Sequence, residues 1–235
     1  MRDGEIDDVL RKAAEAQPGP DPALLDKIAA SIQPKMTPVR PLPPAWVLSS
    51  MLFGMCAAIA VAAARRSGMH GIEAMDKTQK LIFPALAGFI VAAAGAWVAE
   101  MIPGSKRKET PWKVLCGATF TLWALFPTIF PDRHTENFVH SGIVCFGAGL
   151  LYAVPIALAG WWLLRRGFAV DRTGAALAAG TLAGLGGLLM LELHCPNFEV
   201  THLLVWHTAV VPISAALAVL LTKLVEIRRR HAHSG

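Results

Sequence analysis

The stretch Leu191-Glu192-Leu193-His194-Cys195-Pro196, followed by Thr201-His202-Leu203-Leu204-Val205-Trp206-His207, decides how this chain is read. It packs one carboxylate, three imidazoles and a thiol into the short break between two long apolar runs. Runs of that length belong in a bilayer, where ionisable groups are costly and usually functional. The chain of 235 residues is 54% hydrophobic and 17% charged, with a mean hydropathy of +0.47. That is too apolar for an ordinary soluble domain of this length.

Six segments approach the ~20 apolar residues that a helix needs to cross ~30 Å of hydrocarbon. They are Trp46 to Ala64, Leu81 to Ile102, Val114 to Phe130, Phe138 to Leu164, Gly174 to Leu193 and Leu203 to Ile227. Their Ala, Gly and Leu content suits helices packed closely together. A spanning backbone must satisfy its own hydrogen bonds, which a helix does within one segment. The short alternating segments of a β-barrel are not visible. The predicted fold is therefore all-α: a polytopic membrane protein of six transmembrane helices.

Lys and Arg in the flanks set the expected orientation. One side collects Lys35 and Arg40 before the first span and Lys106, Arg107, Lys108 and Lys113 in the second loop. It also holds Arg165, Arg166 and Arg172 in the fourth loop and Lys223, Arg228, Arg229 and Arg230 at the end. The other side has Arg65, Arg66, Lys77 and Lys80 in the first loop, Arg133 in the third and none in the fifth. Both termini should thus face the cytoplasm, with Arg65 and Arg66 snorkelling from the outer end of the first span. The formal charge of +5 is mostly this inner collar and needs no nucleic acid to explain it.

Residues 1–44 read as a cytoplasmic tail, and residues 45–235 as the membrane domain. The opening is polar and acidic and does not look like a signal peptide. Ile6, Val9, Leu10 and Ala13 share the spacing of one helical face, preceded by Asp3, Glu5, Asp7 and Asp8. Gln17-Pro18-Gly19-Pro20 breaks the chain, and Asp21-Pro22 reads as the cap and first position of a second helix. Its apolar face is Leu24, Leu25, Ile28 and Ile32, and a proline-rich linker follows. Two such helices cannot bury their own faces. They form either a surface-lying tail or a segment that folds onto a partner.

Six of the eight histidines fall on or near the outer side: His70, His134, His140, His194, His202 and His207. Glu136 and Glu192 accompany them, and Cys145 lies about two turns into the fourth span. Three chemistries compete. Thiolate and imidazole suit a transition metal, zinc or copper. At ~100° per residue, however, His202 and His207 should diverge by roughly 140° and not chelate together. A redox pair is the second reading, because Cys145 and Cys195 both lie outward, where oxidation is allowed. Cys145 should sit ~10 Å inside the rim, so the two meet only if the fifth loop dips inward or the fourth span starts later. Haem or proton chemistry is the third, with only His207 clearly inside a span. Cys56 and Cys116 are expected to be buried structural thiols. Trp123, Trp161, Trp162 and Trp206 are expected as interface anchors.

Six spans, a short N-terminal tail, Cys145 in the fourth span and Leu193-His194-Cys195-Pro196 before the sixth resemble the NrsF-type membrane anti-sigma factors, the negative regulators of sigma F. The resemblance extends over nearly the whole membrane domain, and the tail matches in character alone. It implies a protein that holds an extracytoplasmic-function sigma factor at the bacterial inner membrane, away from RNA polymerase. It also implies that Cys145 and Cys195 carry the response to oxidising or heavy-metal stress. His202 and His207 stand outside it and leave room for a metal or other small signal, for which His140, His194 and Glu192 are candidate accessory groups. The His-x3-Cys-x2-Cys pattern of soluble zinc-binding anti-sigma proteins is absent.

The expected function is that of a non-enzymatic membrane anti-sigma factor. Ile6, Val9, Leu10, Leu24, Leu25, Ile28 and Ile32 would grip the sigma factor, and Cys145 and Cys195 would trigger its release. The stretch Ala175 to Gly187 is where helices would slide most easily. The rival is a membrane redox protein or transporter using the outer His/Cys cluster on a metal, haem or quinone. No GxSxG, P-loop or HExxH motif supports catalysis.

Overall fold

The computed structural model describes residues 8, 11–12, 21–32, 43–102, 110–130, 138–165, 167, 169 and 171–233. The chain divides into two units, Met1–Pro41 and Leu42–Gly235.

In the first unit, helix α1 spans Pro22–Ile32. The Asp21 carboxylate accepts the Ala23 N–H at 2.9 Å, so the cap falls where the sequence predicts it. Leu24, Leu25 and Ile28 are each about half exposed. Of Ile32 only the backbone is described, and Ile6, Val9 and Leu10 lie outside the described residues.

The second unit is helical throughout, with no strand among the described residues. Helix α2 is Ala45–Ser67, α3 is the short His70–Ala74, and a 3-10 turn at Gln79–Leu81 leads into α4, Ile82–Glu100. Helices α5 (Thr110–Ile129), α6 (Phe138–Leu164) and α7 (Arg172–His194) follow. The last apolar run is composite: α8 (Val200–His202), a π-turn over Leu203–His207, and α9 (Val210–His233). Six helical runs are long and apolar enough to cross a membrane. The fourth has the predicted bounds, and the others mostly run a few residues further at one or both ends. Helix α7, for example, starts at Arg172 because the Asp171 carboxylate caps the Thr173 N–H at 2.9 Å.

Helix α7 is the axis of this unit. In its most apolar window 83% of residues are buried, against 22–44% in the other five. It packs on α2, α3, α4, α5, α6 and α9. Small residues allow that many neighbours. A Cβ added at Gly180 would come within 2.6 Å of the Ala215 Cα and the Ser214 carbonyl of α9. One added at Gly187 would collide with the Gly149 carbonyl of α6. Backbone therefore meets backbone along this helix, which fixes the ends that carry the polar residues.

The two remaining cysteines part ways. Cys56 is fully buried, as expected, with its thiol toward the Leu182 carbonyl at 3.9 Å. Cys116 is exposed, contrary to expectation, because α5 buries a narrow stripe and Cys116 lies off it. Trp123, Trp161 and Trp162 are more than half exposed on the outside of their helices. Trp206 instead turns inward, and its indole fills the space that a side chain at Gly142 would need.

Candidate functional site

The site grows from the end of α7. Glu192 lies in its last turn and is fully buried. The Cys195 N–H donates to the Leu191 carbonyl at 2.7 Å and closes the helix. Pro196 then prevents continuation. The connection to α8 does dip inward, since Cys195, Glu199 and Val200 are all buried. That brings the Cys195 Sγ to 3.5 Å from the Sγ of Cys145, two turns into α6. Both thiols are free. The depth mismatch that the sequence suggested is thus removed by the loop, and α6 starts where predicted.

The histidines overturn the rotation argument. His202 and His207 do not diverge: their ring centroids are 5.0 Å apart, edge to face, and both residues are fully buried. The cause is the π-turn between them. The Thr208 N–H donates to the carbonyl of Leu203, five residues back, at 3.0 Å. A turn with one residue more than an α-turn returns position i+5 to nearly the same face. Pro212 supplies the reason for the break, because it has no N–H for the Thr208 carbonyl. That carbonyl takes the Val211 N–H at 3.1 Å instead. The Thr208 hydroxyl adds a second bond to Leu203 O at 2.9 Å.

Polar partners then order the cluster. His207 Nδ1 sits 2.8 Å from Glu192 Oε1, both side chains out of solvent contact. His207 Nε2, His202 Nδ1 and Glu192 Oε2 have no hydrogen-bond partner among the described residues. His202 Nε2 is 3.9 Å from Cys195 Sγ. One ligand atom from each of Cys145, Cys195, His202 and His207 falls within 4.8 Å of every other. The hydrogen bond to Cys145 and, next, burial raise the Cys195 thiol above its ordinary range, against a downward pull from His202 and His207.

His140 and His194 do not join this group. His140 is exposed on the first turn of α6. His194 points away, and its Nδ1 pairs with the Gly68 carbonyl at 2.8 Å. Its role in the fold is to tie the turn to the first loop. That loop has a part in the site that composition does not announce. Gly68 takes φ 102°, so the chain reverses after α2. Gly71 of α3 presses on the turn, where an added Cβ would lie 2.5 Å from the Glu192 carbonyl and 2.9 Å from that of Cys195. The signal for this in the sequence is the pair of glycines flanking His70.

The two imidazoles touch, so a macrocycle with both as opposite axial ligands has no room between them. The arrangement suits thiol chemistry and metal ligation better than haem.

A family model described as "Negative regulator of sigma F", NrsF, matches residues 34–225. The chain belongs to the NrsF family. No curated protein and no solved structure matches it. The family's name makes this NrsF member a negative regulator of a sigma factor. The match takes in Cys145, Cys195, His202 and His207, and leaves out most of the residues before α2.

Proposed function

We propose that this NrsF protein is a six-span anti-sigma factor of the bacterial inner membrane. Both termini face the cytoplasm, and the first 44 residues hold an extracytoplasmic-function sigma factor. Cys145 and Cys195 sense oxidising or metal stress and trigger its release. The observation that carries the reading is the family match over 34–225. Three further features support it. Six runs have the length and apolarity of membrane spans. The basic flanks favour an inner position for the termini. The face of α1 bearing Leu24, Leu25 and Ile28 stands open to a partner.

The chemistry of the trigger is simple. Two thiols give up two protons and two electrons to a peroxide, one S–S bond forms, and the peroxide leaves as two waters. The sulfurs must close from 3.5 Å to a bond of ~2.05 Å, which moves α6 or the turn after α7. Helix α7 packs on every other spanning run, so such a shift can reach the inner ends of the bundle. Signal passes only if oxidation favours one packing of the bundle over the other. Co-purification from detergent-solubilised membranes tests the reading. A small sigma-like protein should be retained by the full chain and lost when residues 1–44 are removed. Equal recovery with and without those residues refutes the assigned role of the tail.

A further inference from the structure

We propose that Cys145, Cys195, His202 and His207 form a closed four-coordinate site for a thiophilic d10 cation, Zn2+ or Cu+, with Glu192 as the group that positions His207. This rests on the sensor reading above and names the ligand of that same site. The inference stands on the shape and chemistry of the donor set.

Four donors converge from three parts of the chain: α6, the turn after α7, and the α8 and π-turn segment. Tetrahedral zinc, with bonds of ~2.3 Å to sulfur and ~2.0 Å to nitrogen, places its donors ~3.3–3.8 Å apart. Here the sulfurs are 3.5 Å apart, His202 Nε2 is 3.9 Å from Cys195 Sγ, and no donor pair exceeds 4.8 Å. The cage needs only a small contraction at its widest edge. Two thiolates and two imidazoles match the soft and borderline cations and disfavour magnesium or calcium.

The second observation is the orphaned nitrogen. His207 uses Nδ1 on Glu192 and leaves Nε2 unpartnered in a fully buried place. A carboxylate on one imidazole nitrogen with a metal on the other is the usual way that a ligand histidine is oriented. The π-turn has the same consequence. A regular α-helix would carry His207 away from His202, and such single π-turns often mark functional sites. Binding moves no electrons. The cation enters beside Cys145, the one donor not fully buried, and the two thiols lose their protons to solvent as the bonds to sulfur form. A divalent ion cancels both thiolate charges, so zinc fits this buried site better than a monovalent ion does.

The test uses the full chain in detergent micelles, reduced and stripped of metal. Zinc and, under anaerobic conditions, cuprous ion are added separately against a chelator of known affinity. Cobaltous ion serves as a spectroscopic probe. One equivalent of zinc or cuprous ion should bind, and cobalt should give the intense visible bands of a tetrahedral sulfur-containing site. His202→Ala and His207→Ala should each abolish the tetrahedral bands while the thiol count stays at four. Glu192→Gln, which keeps all four ligands, should weaken zinc 10- to 100-fold. His140→Ala should bind as the parent does. No uptake of either cation, or binding unaffected in both histidine variants, overturns the proposal. If no metal binds yet oxidation still releases the sigma factor through the cysteines, the metal inference falls and the sensor reading stands. If metal binds with this signature and the sigma factor never leaves, the reverse holds.

Discussion

The His/Cys cluster and helix α1 depart from ordinary burial in opposite directions. At the end of α7 a carboxylate, two imidazoles and a thiol are withdrawn from solvent, with Glu192, His202 and His207 fully so. In α1 three large aliphatic side chains remain about half exposed. Burying polar groups is costly unless they are paired, and exposing apolar ones forgoes their transfer free energy. Neither place is explained by stability alone. The first fits the proposed sensor, the second the proposed grip on a partner. The family match includes the first and stops short of the second.

Substitutions should therefore act differently in the two places. The largest effect is expected from Glu192→Ala, which leaves His207 buried without its carboxylate. Breaking a buried pair in this way costs about 3–5 kcal/mol. The thermal midpoint of the purified protein should fall sharply, and Glu192→Leu combined with His207→Leu should recover much of the loss. If the single variant melts like the parent, the pair is not the buried contact described here. Next comes Gly71→Ala, whose Cβ meets backbone oxygens of the Glu192–Cys195 turn. Overpacking of this kind costs about 1–3 kcal/mol. It should also slow oxidative cross-linking of Cys145 to Cys195, although neither cysteine has been changed.

A smaller effect concerns pH. In reduced, metal-free protein the Cys195 thiol is held above its ordinary range, so less of it is thiolate at neutral pH. Its alkylation should keep accelerating, up to about tenfold per pH unit, past the ~8.5 at which a free cysteine levels off. Removing the first cause of the shift, with Cys145→Ala, should move that plateau to lower pH. Mass spectrometry of the labelled peptide reads both profiles, and identical curves would argue against the sulfur–sulfur contact. The smallest effect on stability belongs to the tail. Leu24→Ala with Ile28→Ala should change the stability of the helical unit Leu42–Gly235 by no more than about 0.5 kcal/mol. The same change should cut retention of the sigma factor severalfold.

The contrast also shows what sequence could convey. Six apolar runs were legible because hydropathy does not depend on tertiary contacts, and Asp21-Pro22 announced α1 through local capping chemistry. Cys145 and Cys195 were recognisable as a pair in type, but their meeting depended on how far the turn after α7 sinks, which no periodicity encodes. A regular α-helix would separate His202 from His207, and the π-turn, with the Pro212 that accompanies it, brings them together. His140 shared the composition of the cluster without its geometry, because it stands on the exposed side of α6. His194 faces the first loop for a similar reason: neighbouring positions on a helix end point in different directions.

The most direct test of the account couples the two regions in one sample. Membranes bearing the full chain are treated with peroxide. The Cys145–Cys195 cross-link is measured by differential alkylation, and the sigma factor left on the protein is measured alongside. The cross-link should form within single chains and the sigma factor should leave in proportion to it, with neither event in Cys145→Ala or Cys195→Ala. A sigma factor that stays bound to fully cross-linked protein, or that leaves equally from the cysteine variants, would contradict it.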